Sequence, residues 1–348
     1  MNMRKNQFVN GSKKIICFDL EGPLSPQDHA LKVMKLIPGG EKIFEVISRY
    51  DDLLTLEGKE GYEPGDTLKL IFPILVSHKI CEKNLTAASE RAELVFGAKK
   101  LISWLQKNKW KVYIISTSYQ QHALSIAERL KVLKENVYCT KFPLNSFLEK
   151  FFYGKTKFPW LALIYEAEKV IVRELWEENL DSGEKDQKLK DFLDEFFWKK
   201  LPETELWSTF DSIKVMGGAA KAEALGEIAK QNKTGLKALV AVGDSITDFK
   251  MLKAVNEAGG LAIVFNGNEY ALPYGTVGIA SANAMDLKKI LNAWSEGERE
   301  AVKSAIEKMS SKKNVHWLLA KTRDELAEIL KIHQRFRKIV RKSAAKLG

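Results

Sequence analysis

Short, continuously apolar runs alternate with helical patterns along much of the sequence. Apolar character on both faces is typical of parallel strands that are covered on both sides. Helical patterns lie between these runs at 97–108, 120–132 and 219–231. The alternation predicts a doubly wound α/β domain with a Rossmann-like parallel sheet, whose ligands would lie outside the carboxyl ends of the strands. The predicted strands are KIICFDL (14–20), KVYIIST (111–117), NVYCTKF (136–142), KALVAVGD (237–244), LAIVFNG (261–267) and TVGIASA (276–282).

Two long insertions interrupt this alternation. Both are predicted to be helical. The second is rich in aromatic residues, and we expect it to be a small subdomain with its own aromatic core, although a further lid or a partner surface is an alternative. Within it, SGEKDQ (182–187) is predicted to be a loop. The predicted organisation is an α/β core (1–24, 94–146 and 212–295), a first helical insertion (25–93), an aromatic-rich helical insertion (147–211) and a helical basic C-terminal extension (296–348).

The positive charge of the chain is concentrated at its C-terminal end. The net charge is +10, and residues 331–348 contain seven basic residues and no acidic one. Thr322 and Glu325 fit a capping box, and apolar residues recur at helical spacing after them. We expect a helix that packs on the body with a solvated basic face. Binding of RNA or of an anionic membrane surface is the alternative, and any protein partner is left open.

The cysteines and the hydropathy pattern bear on the cellular compartment. Cys17, Cys81 and Cys139 are far apart and lack metal-type spacing, as expected for reduced thiols inside a cell. The N-terminal sequence lacks the apolar segment of a signal peptide. No stretch approaches the roughly 18 apolar residues of a membrane span. The sequence therefore predicts a soluble cytoplasmic protein.

Acidic residues follow two of the predicted strands. Asp19 and Glu21 end the first strand in the segment IICFDLEGPL, and because residues i and i+2 share a face of a strand, both can face one crevice. Asp244 and Asp248 follow a later strand in AVGDSITDF. Carboxylates from two strand ends form the hard-oxygen site that Mg²⁺ prefers. An acidic strand-end turn at Asp19, or a helix-start acid at Asp248, is the structural alternative.

A hydroxyl cluster and a lysine lie at two other element ends. Ser116, followed by Thr117, ends a strand, where hydroxyl and backbone N–H groups suit a phosphate oxygen. Lys221 lies near the start of a helix, where it could neutralise a carboxylate and a phosphate. Taken alone, Ser116 could be a helix N-cap and Lys221 a solvated lysine.

The order of acid pair, hydroxyl, lysine and acid pair resembles the four motifs of the haloacid dehalogenase superfamily. The resemblance covers the α/β elements between about residues 13 and 282. The common first motif has Asp, Gly and Thr where this chain has Glu21, Gly22 and Pro23. The DLEG opening and the STSYQ segment are similar to the phosphoserine phosphatase and homoserine phosphotransferase branch.

The resemblance implies a role for each of these residues. Asp19 would be the nucleophile that forms an aspartyl-phosphate, and Glu21 would be the general acid and base. Mg²⁺ would be held by Asp19, Asp244, Asp248 and the backbone carbonyl of Glu21. Ser116, Thr117 and Lys221 would bind the phosphoryl group.

The predicted function is therefore that of a Mg²⁺-dependent phosphatase. It would hydrolyse a small phosphorylated metabolite. The resemblance implies that the helical insertion 25–93 is a helical cap, which closes over the site and selects the leaving group. Two alternatives stay open: a phosphotransferase of the same fold, and a non-catalytic subunit or regulator that binds a protein partner. A dehalogenase is disfavoured, because it does not need the Mg²⁺-type acids that this chain has.

Overall fold

The computed structural model describes residues 14–176, 182–309 and 314–346. Within these residues a seven-stranded sheet has the order β3-β2-β1-β4-β5-β6-β7. The first six strands are parallel, and β7 runs antiparallel to β6. The predicted doubly wound α/β class is confirmed. The strands are β1 (Ile15–Phe18), β2 (Lys111–Tyr119), β3 (Val137–Thr140), β4 (Leu239–Gly243), β5 (Leu261–Phe265), β6 (Val277–Ile279) and β7 (Val315–Trp317).

Helices cover the sheet and fill the two insertions. They are α1 (His29–Met34), α2 (Gly40–Glu57), α3 (Thr67–Leu70), α4 (Phe72–Ser77), α5 (Glu82–Glu90), α6 (Ala98–Lys107), α7 (Gln120–Leu130), α8 (Leu144–Phe152), α9 (Pro159–Val170), α10 (Ser182–Glu195), α11 (Trp207–Ser212), α12 (Gly218–Gln231), α13 (Phe249–Glu257), α14 (Leu287–Glu307) and α15 (Arg323–Arg341). In the described part of the chain, none of them combines the length and apolar character needed to cross a membrane.

The central strand β1 is buried on both faces. Ile16 and Phe18 pack in one core with α6, α7 and α14, whereas Ile15 and Cys17 pack in another core with α12, α13 and α15. Successive side chains of a strand point to opposite faces, so a strand covered on both sides must be apolar throughout. This double burial explains why the strand signals in the sequence are continuous rather than alternating.

The two insertions form one helical layer rather than two. Helices α1–α5 and α8–α11, called the cap layer below, share a single hydrophobic core. Tyr50 on α2 donates a hydrogen bond to Asp194 on α10 and accepts one from Trp198 at 2.7 Å. The expected separate aromatic core of 147–211 is therefore wrong, because its aromatic faces pack against the apolar faces of the first insertion. The loop predicted at 182–187 is instead the first part of α10.

The C-terminal segment belongs to the α/β core. The predicted boundary at residue 296 coincides with a kink in α14, where Gly297 and Glu298 leave the helical conformation. Beyond the kink, however, β7 extends the sheet and α15 packs on it through buried Ile329. The expected capping box is present, since Thr322 and Glu325 bond each other's backbone N–H. The expected basic face is exposed to solvent at Lys331, Arg335, Lys338 and Lys342. The expectation is wrong for Arg337 and Arg341, which are only 2% and 7% exposed. They are buried because they meet acidic partners described below.

Candidate active site

Asp19 lies directly after β1, at the carboxyl end of the sheet. Its backbone N–H donates to the carbonyl of Val242 on β4 at 2.8 Å, which fixes it beside the end of that strand. Lys221, fully buried on α12, donates to Oδ1 of Asp19 at 2.8 Å and to Oδ1 of Asp248 at 2.7 Å. Residues that are about 200 positions apart in the sequence thus meet at one buried point.

The charges around Asp19 are not balanced by Lys221 alone. Burial and the neighbouring Asp248 and Asp244 raise the pKa of Asp19 to about 7, against the opposite effect of Lys221. Burial lowers the pKa of Lys221, but Asp19 and Asp248 outweigh it, so that this pKa lies above its ordinary value. The lysine is therefore charged, and the carboxylates around it still repel one another. Such a cluster favours an additional cation.

Asp244 and Asp248 follow β4 and have different partners. Oδ2 of Asp248 accepts from the backbone N–H groups of Asp244 (2.9 Å) and Ser245 (3.1 Å), so its two oxygens are occupied by these groups and by Lys221. Oδ2 of Asp244 accepts from Arg337 and from Arg341, the latter at 3.0 Å. Oδ1 of Asp244 is buried and has no hydrogen-bond partner among the described residues.

Two glycines allow the carboxylates to approach the backbone. Gly22 has a φ of 112°, and a Cβ there would lie 2.5 Å from the carboxyl group of Asp244. A Cβ at Gly243 would lie 2.7 Å from the carboxyl carbon of Asp248. Both distances are too short for a side-chain atom, so the turn after Asp19 and the end of β4 require residues that lack a Cβ.

The donor set fits a hard divalent cation. Asp19, Asp244 and Asp248 each have a carboxylate oxygen within 4.8 Å of the others. All three donors are carboxylates, and the unpartnered buried Oδ1 of Asp244 is the kind of atom that a bound ion satisfies. Oxygen-only ligands of this kind suit Mg²⁺. The expected contribution of the Glu21 backbone carbonyl stays a prediction.

Glu21 lines the same cavity as Asp19. Its Oε1 accepts from the backbone N–H of His29 at 2.9 Å, and Nε2 of His122 lies 3.8 Å away. Burial and the nearby Asp28 raise the pKa of Glu21 to about 8, although Ser118, His29 and Arg341 act in the other direction. A protonated carboxyl group is therefore available at neutral pH, as a general acid requires.

The hydroxyl residues near the end of β2 differ in where they point. Ser116 is fully buried, and its Oγ accepts from the backbone N–H of Ser118 at 3.1 Å. Thr117 and Ser118 line the cavity, because β2 extends to Tyr119 instead of ending at Thr117. Oγ1 of Thr117 is buried without a hydrogen-bond partner in the part of the chain that the structure describes. The structure thus brings Thr117 to the cavity and keeps Ser116 behind it.

The cavity lies between the α/β core and the cap layer and has a volume of about 80 Å³. Its far wall contains Phe44, Ser48, Asp51 and Leu68 from the cap layer, while Arg341 joins from α15. Oxygens of Asp51 accept from the hydroxyl of Tyr62 at 2.7 Å and from the N–H of Gly65 at 3.0 Å. The sequence did not predict Asp51, Arg337 or Arg341 as site residues, because none of them belongs to a recognisable motif.

A loop of the cap layer is bonded to the α/β core. Glu63 accepts from Lys250 at 2.7 Å and from the backbone N–H of Ala219, at the start of α12, at 2.9 Å. Gly217 is packed against the backbone of Pro64, where a Cβ would lie 2.1 Å from its carbonyl oxygen. At the start of the cap layer, Asp28 caps α1 by accepting from the backbone N–H of Leu31 at 2.8 Å. The loop with Glu63 therefore links the cap layer to α12 and α13 of the core.

Comparisons with known proteins agree with the fold. No protein-family model and no curated protein matches the sequence. The structure of gene product AF1437 from Archaeoglobus fulgidus matches with a TM-score of 0.77 and 28% sequence identity, over 97% of this chain and 99% of that one. A substrate-bound phosphoserine phosphatase complex matches with a TM-score of 0.50 and 17% identity, over 80% of this chain and 99% of that one. The chain has an α/β fold of the haloacid dehalogenase type. These likenesses establish the fold and leave the reaction to be argued from the site.

Proposed function

We propose that this protein is a Mg²⁺-dependent phosphomonoester hydrolase that acts through an aspartyl-phosphate on a small phosphorylated metabolite. The observation that carries the proposal is the buried contact of Lys221 with both Asp19 and Asp248, beside the unpartnered oxygen of Asp244. An acceptor for phosphorus, a fixed cation and a set of oxygen ligands meet at Asp19, which lines the cavity. Phosphoryl transfer depends on this kind of positioning and charge neutralisation.

The first half-reaction transfers the phosphoryl group to Asp19. The carboxylate oxygen of Asp19 that does not bind Lys221 attacks phosphorus, and the bond between phosphorus and the leaving oxygen breaks. Glu21, which is protonated at neutral pH, donates its proton to that oxygen, so that the substrate leaves as an alcohol. Lys221 and the unpartnered hydroxyl of Thr117 bind the oxygens of the phosphoryl group.

The second half-reaction releases phosphate. Glu21, now ionised, accepts a proton from a water molecule that attacks phosphorus, and the bond to the Asp19 oxygen breaks. A Mg²⁺ ion held by Asp19, Asp244 and Asp248 would neutralise charge on the phosphoryl group. The small volume of the cavity supports a small substrate, since the cap layer would exclude a large one.

A screen of phosphorylated small molecules tests the proposal. Release of free phosphate would be measured with Mg²⁺ and with excess EDTA, using Asp19→Asn as the control variant. We expect Mg²⁺-dependent release for at least one compound and none from the variant. Activity that persists in EDTA would remove the metal from the mechanism. A phosphorylated alcohol appearing on addition of an acceptor, instead of free phosphate, would identify a phosphotransferase.

A further inference from the structure

Helix α15 places two arginines beside Asp244, one of the proposed metal ligands. Arg337 and Arg341 are four residues apart and therefore lie on one face of the helix. Both donate to Oδ2 of Asp244, with Arg341 at 3.0 Å. Arg337 also donates to the backbone carbonyl of Asp244 at 3.2 Å. This segment lies more than 90 residues beyond Asp244 in the sequence and outside the motifs that the sequence resemblance covers.

The helix is fixed close to Asp244 by contacts of its own. Nδ1 of His333 accepts from the backbone N–H of Gly267, in the loop that follows β5, at 3.0 Å. The next residue of that loop, Asn268, donates its N–H to the carbonyl of Asp244 at 3.0 Å. Nε of Arg337 donates to the carbonyl of Ala345 at 2.9 Å. The guanidinium groups are therefore held in place and are not the ends of free surface chains.

These contacts leave one oxygen of Asp244 available. Two guanidinium groups bind Oδ2, while Oδ1 has no hydrogen-bond partner among residues 14–176, 182–309 and 314–346. The carboxyl group also packs directly against Gly22, where even a Cβ atom would not fit. Held on both sides, the carboxylate cannot rotate without breaking charge-assisted hydrogen bonds, which are the stronger kind.

We propose that Arg337 and Arg341 are positioning residues for a divalent cation. They bind Oδ2 of Asp244 so that Oδ1 is presented together with oxygens of Asp19 and Asp248. This inference rests on the function proposed above, and it makes α15 part of the active site. The contrary view, that the guanidinium groups compete with the cation for Asp244, predicts the opposite change in affinity when they are removed.

Isothermal titration with Mg²⁺ alone, on the full chain without substrate, tests the inference. The variants are Arg337→Gln and Arg341→Gln, and the matched control is Arg335→Gln, which removes the same charge from an exposed position on α15. Loss of a hydrogen-bond partner of a metal ligand typically costs 10- to 100-fold in metal affinity. We expect the Kd for Mg²⁺ to rise by about this factor in both variants. The control should bind as the wild type does.

Each outcome decides for or against the inference. Unchanged or tighter Mg²⁺ binding in either variant, folded by circular dichroism, would overturn it. Should Arg337→Gln fail to fold, Arg341→Gln and Arg341→Lys supply the test, and the lysine variant should recover part of the lost affinity. If the wild type and Asp244→Asn both fail to bind Mg²⁺, the proposed metal site is wrong as well. If only Asp244→Asn loses binding and the arginine variants do not, this inference alone fails.

Discussion

Nζ of Lys221 lies 2.8 Å from Oδ1 of Asp19 and 2.7 Å from Oδ1 of Asp248, and all three side chains are buried. One ammonium group therefore joins the ends of β1 and β4 to the start of α12. The same contact serves the fold, by compensating two buried carboxylates, and the proposed reaction, by placing a cation beside the nucleophile.

Replacing this lysine should cost both stability and activity. Lys221→Met leaves the carboxylates of Asp19 and Asp248 buried without their cation, and breaking a buried pair in this way typically costs about 3–5 kcal/mol. Urea denaturation should show this loss, and phosphatase activity should vanish. Lys230→Met, at an exposed position of the same helix, is the control and should change little. Equal stability of the two variants would mean that the buried contact is not energetically important.

Glu21→Gln should separate the two half-reactions. The amide cannot donate or accept a proton, and general acid–base catalysis typically contributes about 10²- to 10⁴-fold. An activated aryl phosphate needs little protonation of its leaving group, so it should still phosphorylate Asp19 in the variant. Hydrolysis should then be slow, and the phosphorylated enzyme should accumulate, as measured by acid quenching. Wild-type turnover of natural and activated substrates would exclude Glu21 as the acid and base.

The parts of the site that follow strands were predictable from the sequence, and the parts supplied by packing were not. Asp19 and Asp244 come directly after apolar runs, and parallel strands bring their carboxyl ends to one edge. Arg337 and Arg341 gave no such signal, because basic residues on an amphipathic helix are normally solvated. The short strand β7 was missed because its three residues, Val315 to Trp317, include His316 and do not form a continuously apolar run. The shared core of the two insertions depends on contacts between distant segments, which one-dimensional periodicity does not contain.

Asp51 on the wall of the cavity should make stability depend on pH. Burial, with a contribution from Asp52, raises its pKa from an ordinary value of 3.8 to about 7, against the bonds from Tyr62, Gly65 and Thr67. Between these values the unfolded chain releases a proton that the folded protein keeps, so stability falls as pH rises from about 4 to 7. Asp51→Asn removes this dependence. As pH rises from about 4 to 7, the unfolding free energy of the wild type should fall by a few kcal/mol relative to that of the variant, at about 1.4 kcal/mol per pH unit. A difference that is constant with pH would show that the pKa is ordinary.

Glu63 and Lys250 should act together in holding the cap layer against the α/β core. Their ion pair is partly exposed, and such pairs are worth about 0–1 kcal/mol. Glu63→Gln also weakens the bond to the start of α12, so we expect KM for the substrate to rise severalfold with a smaller change in kcat. Lys250→Gln should have a weaker effect, and the double variant should fall short of the product of the two. Fully multiplicative effects would show that the two side chains do not act as a unit.

Trapping of the phosphorylated enzyme tests the central claim most directly. The wild-type protein would be mixed with a labelled phosphorylated substrate and Mg²⁺, quenched in acid within the first turnover, and digested to locate the label. The account predicts acid-stable, alkali-labile phosphate on the peptide that contains Asp19, and none in Asp19→Asn that is folded by circular dichroism. Label on another residue, or undiminished turnover by Asp19→Asn, would contradict it.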